Sequence, residues 1–99
     1  MRQIRYTKSF KDDMKRIKKY PAYDADKLEE LVSLIAEGEQ LDAKYADHKM
    51  VRQSRAEYIG SREFHLASDI CVVYRIQDDT VYLQRIGKHN QLRLTSSLR

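Results

Sequence analysis

One proline and three glycines in 99 residues are too few chain breakers for a fibrous or disordered polypeptide. No stretch approaches the roughly 18 consecutive apolar residues of a membrane-spanning helix. The opening MRQIRYTKSF has no apolar leader-like region, so the expectation is a soluble protein of the cytoplasm. A single cysteine, Cys71, excludes an internal disulfide. It lies in the run Ile70-Cys71-Val72-Val73-Tyr74, where a buried small hydrophobe is expected rather than a reactive thiol. No CxxC occurs and no two histidines stand four apart, so the strong metal-ligand spacings are missing too. No internal repeat or linker divides the chain, and residues 1–99 read as one domain.

What is present is charge, unevenly spread. Residues 1–20 carry eight Lys/Arg against two acids, residues 21–47 two against eight, and residues 48–99 nine against five. Basic ends around an acidic middle suit a polyanion bound on a surface built from both ends. Two solvated helix faces of opposite sign would give the same count.

Ile4 and Tyr6 flank Arg5 in a short strand pattern, and Thr7 is a suitable N-cap. Phe10, Met14 and Ile17 follow on one helical stripe, which Tyr20-Pro21 should end because the residue before proline leaves the helical region. A second helix is expected from Asp24, with Leu28, Leu31, Val32 and Ile35 on one face and Gly38 as its stop. Residues 39–55 read as a long loop anchored by Leu41, Tyr45 and Met50. Four strands are expected near 56–60, 62–67, 70–77 and 80–86, with turns at Gly60-Ser61 and Asp78-Asp79 and a short helix from His89 to Leu92. The sum is an α+β domain: a short N-terminal strand, two helices, then a four-stranded antiparallel meander with the helices on one face. The other face stays partly open to a ligand.

All three histidines, His48, His65 and His89, fall in the second half, with Asp47, Asp69, Arg62 and Arg85 near them. A three-histidine metal site assembled by the fold is one reading; no metal or cofactor is the expectation. The set better suits metal-free RNA cleavage. There the ribose 2′-hydroxyl attacks phosphorus, one group takes its proton and another protonates the departing 5′-oxygen. A guanidinium can meet the charge gathering on the phosphate. Each residue also has a plain structural role open to it, a strand-edge histidine or a salt-bridging arginine.

The spacing of these residues resembles a family. Leu41-x-x-x-Tyr45-x-Asp47-His48 is similar to the segment before the sheet in YafQ-type toxins of the RelE/ParE superfamily. Arg62-x-x-His65-x-x-x-Asp69-x-x-Val72-Val73-Tyr74 resembles their central strands, and Leu83-x-Arg85-x-Gly87-x-His89-x-x-Leu92 their closing signature. The chain departs from the pattern at Ile70, where an aromatic is usual, and at Arg93, which follows Leu92 in place of a stacking aromatic. The resemblance implies a RelE-like microbial-ribonuclease fold and a ribosome-dependent mRNA endonuclease of a type II toxin–antitoxin system. It implies as partners the ribosome, mRNA and a DinJ/RelB-like ribbon-helix-helix antitoxin encoded alongside. Carried over by position, the catalytic residues are His48, His65, Asp69, Arg85 and His89. His65 and Asp69 stand on the base side, His89 is the acid, Arg85 meets the phosphate, and His48 holds or polarises the reacting group. RNA contacts are expected from Lys15, Lys18, Lys19, Arg52, Arg55, Arg62 and Arg93. The alternatives are a non-catalytic RNA- or ribosome-binding module and a degenerate toxin that only binds its antitoxin.

Overall fold

The computed structural model describes residues 1–50 and 58–92. β1 (Gln3–Tyr6) runs into α1 (Lys8–Ile17), and the Thr7 hydroxyl caps that helix by accepting from the Phe10 N–H at 3.2 Å. The helix stops at Ile17, three residues short of the expected end. Lys19 and Tyr20 instead donate to the Arg16 and Ile17 carbonyls in a turn, and Pro21 lies in the next turn, closed by the Tyr23 N–H on the Tyr20 carbonyl. Asp24 caps α2 (Ala25–Ala36), accepting from the Lys27 N–H at 3.0 Å. Gly38 ends α2 in the left-handed region at φ 83°, where the Gly38 and Glu39 N–H groups reach back to the Ile35 and Leu34 carbonyls.

The expected loop contains a 3₁₀ turn at Ala43–Tyr45 and a two-residue strand, β2 (His48–Lys49). The strand expected at 56–60 is corrected: residues 58–60 form a turn, Ser61 N–H bonding to the Tyr58 carbonyl, while 56–57 lie outside the described residues. β3 (Arg62–Ala67), β4 (Ile70–Gln77) and β5 (Thr80–Lys88) follow, the last two residues longer than expected, and α3 (His89–Leu92) closes the described chain. Asp78 and Asp79 both have positive φ, 51° and 61°. That is the primed two-residue turn that matches strand twist, and Asp tolerates it better than branched residues.

The sheet order is β1-β5-β4-β3-β2, antiparallel except that β1 lies parallel to β5. The two helices lead from β1 at one edge of the sheet to β2 at the other. Side chains alternate along the strands, so Phe64, Leu66, Ile70, Val72, Tyr74, Val81, Leu83 and Ile86 join Phe10, Ile17, Leu28, Leu31, Val32 and Ile35 in one core. On the other face Cys71 and Val73 meet Met50, Tyr58 and Leu92 in a smaller cluster. Among the described residues no helix is long and apolar enough to cross a membrane.

Phe64 is fully buried against Tyr74, ring centroids 5.9 Å apart. Phe64→Ala should therefore cost about 3–5 kcal/mol, a large share of the stability of a domain this size. Ile76→Ala, at a largely exposed position, should cost under about 1 kcal/mol. Denaturant unfolding of both variants checks this; equal losses would mean that the helix-side core does not hold the sheet.

Candidate active site

Phe64 and Leu66 occupy the core, so the intervening strand positions send Glu63 and His65 to the opposite face. His48 pairs with Glu63 across β2 and β3. Glu63 in turn pairs with Val73, and Val73 with Arg85, so His48, Glu63, Val73 and Arg85 form one row across four strands. The neighbouring row is His65, Cys71 and Gly87, in which the glycine contributes no side chain. His89 follows at the start of α3.

Three imidazoles converge on one carboxylate. The Nε2 atoms of His48 and His65 lie 3.4 and 3.5 Å from Glu63 Oε1, and that of His89 lies 3.7 Å from Glu63 Oε2. Glu63 is only 2% exposed, whereas the histidines are partly exposed and open toward solvent. Two buried atoms here, Glu63 Oε2 and His48 Nε2, have no hydrogen-bond partner. Such atoms are costly in a finished core and common where a ligand or a proton is to be received. His48 Nδ1 sits 2.7 Å from the Ala46 carbonyl. Nδ1 is then the donor, which leaves Nε2 to face the carboxylate.

Arg85 lies at a break in the β4–β5 ladder. Gln84 and Arg85 together oppose Val73, a bulge that keeps both Leu83 and Ile86 in the core. Its Nε and Nη2 donate to the two oxygens of Asp13 at 2.6 and 3.0 Å, and its Nη1 to the Tyr58 hydroxyl at 3.2 Å. Hydrogen bonding to Asp13 raises the Arg85 pKa further above its ordinary range, against the opposing pull of burial. Arg62 donates from Nε to Asp47 and to the Tyr74 hydroxyl, both at 3.2 Å. Burial works against its charge there, but Asp47 and Tyr74 outweigh it and the Arg62 pKa rises. Burial and the adjacent Asp47 push the Tyr74 phenol well above its usual range.

His48, His65 and His89 are thus brought together, and Arg85 stands two strands from Glu63, roughly 10 Å across the sheet at about 4.8 Å per strand. Asp69 is not part of the cluster. It sits in the β3–β4 turn, largely exposed, 3.8 Å from Lys88 Nζ, so the expected pairing of Asp69 with His65 is corrected: the carboxylate beside His65 is Glu63. Sequence reasoning passed over Glu63, although its place two residues before His65 puts both on one strand face. Lys15 on α1 and Lys18 and Lys19 in the turn after it are exposed. Arg52, Arg55 and Arg93 lie outside the described residues.

A family model described as the bacterial toxin of a type II toxin–antitoxin system, YafQ, matches residues 2–94. No curated protein matches significantly. Among solved structures, a copper-bound mutant toxin from Helicobacter pylori is similar at TM-score 0.81 and 28% identity, covering 93% of this chain and 99% of its own. A metal-bound toxin from the same organism has TM-score 0.78 and 32% identity, with 93% and 99% covered. The toxin of the Escherichia coli DinJ–YafQ complex has TM-score 0.76 and 31% identity, with 93% and 98% covered.

Cys71 borders this site, opposite His65 on β4. Burial pushes its thiol up to about 12, and the negative charges of Glu63 and Asp69 add to the shift. Since the thiolate is the reactive form, native protein at about pH 8 should resist iodoacetamide while unfolded protein reacts at the rate of a free cysteine. Mass spectrometry of alkylated protein measures this; equal labelling of both forms would contradict a buried thiol.

Proposed function

The chain belongs to the YafQ family of type II toxin–antitoxin toxins, and on that premise we propose that it cuts messenger RNA on the ribosome by general acid–base catalysis without a metal. A DinJ-like antitoxin is its proposed partner, as DinJ is of the Escherichia coli toxin. The observation that carries this reading is the meeting of three imidazole Nε2 atoms around the buried Glu63.

Cleavage needs a base for the 2′-hydroxyl, an acid for the 5′-oxygen and a cation for the phosphate. In this reading His65 takes the 2′-hydroxyl proton, and Glu63 holds the resulting imidazolium, the part the motif gave to Asp69. His89 delivers a proton to the departing 5′-oxygen. His48, fixed through Nδ1, polarises the reacting hydroxyl with Nε2. Arg85 meets the phosphate, whose charge grows as the fifth oxygen bonds to phosphorus. Lys15, Lys18, Lys19 and Arg62 hold the RNA backbone by charge, with Arg52, Arg55 and Arg93 expected to join them.

General acid–base groups typically contribute ~10²–10⁴-fold to a rate. His65→Ala and His89→Ala should each lose mRNA cleavage by that order while still binding antitoxin. Products should end in 2′,3′-cyclic phosphate and 5′-hydroxyl, read by end-specific ligation and mass spectrometry. Finding 5′-phosphate ends would sink the 2′-hydroxyl mechanism. Intact messages on ribosomes that still bind the wild-type protein would make it a non-catalytic binding module.

A second reading concerns inhibition. Glu63, His65 and Cys71 offer ligand atoms within 4.8 Å of one another, and Glu63 Oε2 is buried without a hydrogen-bond partner. That mixture of imidazole, carboxylate and sulfur donors suits a late first-row ion such as Cu²⁺ or Zn²⁺, in line with the copper- and metal-bound toxins of Helicobacter pylori. An ion here would occupy the His65 nitrogen that the reaction needs and so would switch the nuclease off. Because the thiol must lose a proton to bind, affinity should rise with pH and weaken in Cys71→Ser. Addition of Cu²⁺ should broaden the His65 ring resonances and stop cleavage, and chelator should restore both. Unchanged resonances at saturating copper would rule this site out.

A further inference from the structure

Asp13 has an unexpected place for a charged residue. It lies on the buried stripe of α1 between Phe10 and Ile17, and it is only 2% exposed. A carboxylate so buried is stable only when its lone pairs are met, and here four donors meet them. Oδ2 accepts from Arg85 Nε at 2.6 Å and from the Ile86 N–H at 3.1 Å. Oδ1 accepts from Arg85 Nη2 at 3.0 Å and from Arg16 Nη2. Arg16 is well exposed, so its share is screened by solvent and small. The pairing with Arg85 is two-pronged and largely shielded, which is the strong form of this interaction.

The donor count of Arg85 gives this pairing a consequence. A guanidinium has five N–H bonds. Two are committed to Asp13 and one to the Tyr58 hydroxyl, leaving one on Nη1 and one on Nη2. The side chain is 18% exposed, so it is not sealed from solvent. Both planes of freedom of the fork are fixed by partners on separate elements, α1 and the turn before β3. A fork held in this way is oriented before any phosphate arrives, and an oriented donor loses nothing to reorganisation during the reaction.

We propose that Asp13 is a positioning residue for cleavage: it fixes the Arg85 guanidinium so that its two uncommitted N–H donors meet the reacting phosphate. This rests on the RNA-cutting reading above and adds to it a residue that touches no substrate. Asp13 acts through Arg85 alone, so removing it should cost nothing once Arg85 is gone.

The experiment is a mutant cycle on single-turnover cleavage of ribosome-bound message, with Asp13→Asn, Tyr58→Phe and Arg85→Gln alone and combined. Asp13→Asn should slow cleavage by roughly 10²-fold, the order seen when one preorganised donor to a transition state is lost. Ribosome affinity should stay within about twofold, because the phosphate contact matters most as charge develops. The Arg85 Nε–H resonance should be slow to exchange in wild type and lost in Asp13→Asn. In the Arg85→Gln background Asp13→Asn should slow cleavage no further, the non-additivity expected of residues that act as a unit. Should Asp13→Asn not fold, Tyr58→Phe decides through the same cycle: a loss of roughly tenfold that disappears with Arg85→Gln supports the fixed fork, and a wild-type rate overturns it. A wild-type rate in folded Asp13→Asn, or losses that simply multiply with those of Arg85→Gln, would overturn the positioning role alone. A wild-type protein that leaves messages intact overturns the nuclease reading and this one together.

Discussion

Taking a carboxylate out of water costs several kcal/mol unless positive charge and donors surround it, and two are buried among the described residues. Asp13 and Glu63 are each 2% exposed, and much of the second sheet face is arranged around them. The two are matched differently. Asp13 meets Arg85, whose charge is permanent, and the Ile86 N–H, and it becomes a fixed joint between α1 and β5. Glu63 meets three imidazoles at 3.4 to 3.7 Å and no guanidinium among the described residues. One buried acid therefore ties a helix to the sheet while the other gathers the three imidazoles. In the cleavage proposed above both would be needed, because proton transfer at His65 or His89 would be useful only with the phosphate held at the same time.

Topology makes this division possible. β1 ends at Tyr6, and beyond that point α1 takes its place along the free edge of β5. The Thr7 N–H donates to the Leu83 carbonyl, and the Thr7 hydroxyl donates to the Leu83 and Gln84 carbonyls. The Asp13 carboxylate then accepts the Ile86 N–H. One helix thus satisfies the edge that the missing strand leaves open, which matters because unpaired buried backbone groups are costly. The bulge at Gln84 and Arg85 follows the same logic. Without the extra residue, either Leu83 or Ile86 would turn out of the core, or Arg85 would point into it. Core packing on one face and the arginine on the other are reconciled by a single inserted residue.

Features of the chain that depend on near neighbours were legible in the sequence. Thr7 and Asp24 cap helices, Gly38 stops one and Asp78-Asp79 turns a hairpin, because each acts through backbone within a few residues. The three histidines and Arg85 were legible as chemistry, but their grouping was not. His48 reaches Glu63 from a strand of two residues, too short to show any alternation. Asp69 matched the motif by spacing, yet it falls in a turn, where its side chain faces Lys88 and solvent. Asp13 was hidden for another reason. In a segment with six Lys/Arg from Lys8 to Lys19 it counts as one more surface charge, and only its place on the Phe10–Ile17 stripe sets it apart. A polar residue on an apolar stripe reports a partner from elsewhere in the chain, and the partner cannot be read locally.

The same layering bears on the split of charge along the chain. The acids of α2 and its flanks, among them Asp26, Glu29, Glu30 and Glu37, are exposed on a helix whose apolar face packs on the core side of the sheet. The sheet and its helix layer, roughly 10 Å thick, separate them from the histidine cluster. The Debye length in physiological salt is about 8 Å, so their repulsion of a polyanion at the cluster is largely screened. α1 is differently placed, because Asp13 ties it directly to Arg85 at the edge of β5. Its lysines therefore lie on the same side of the sheet edge as Arg85. An acidic middle and basic ends are then compatible within one small domain, since the two charges lie on different layers of it.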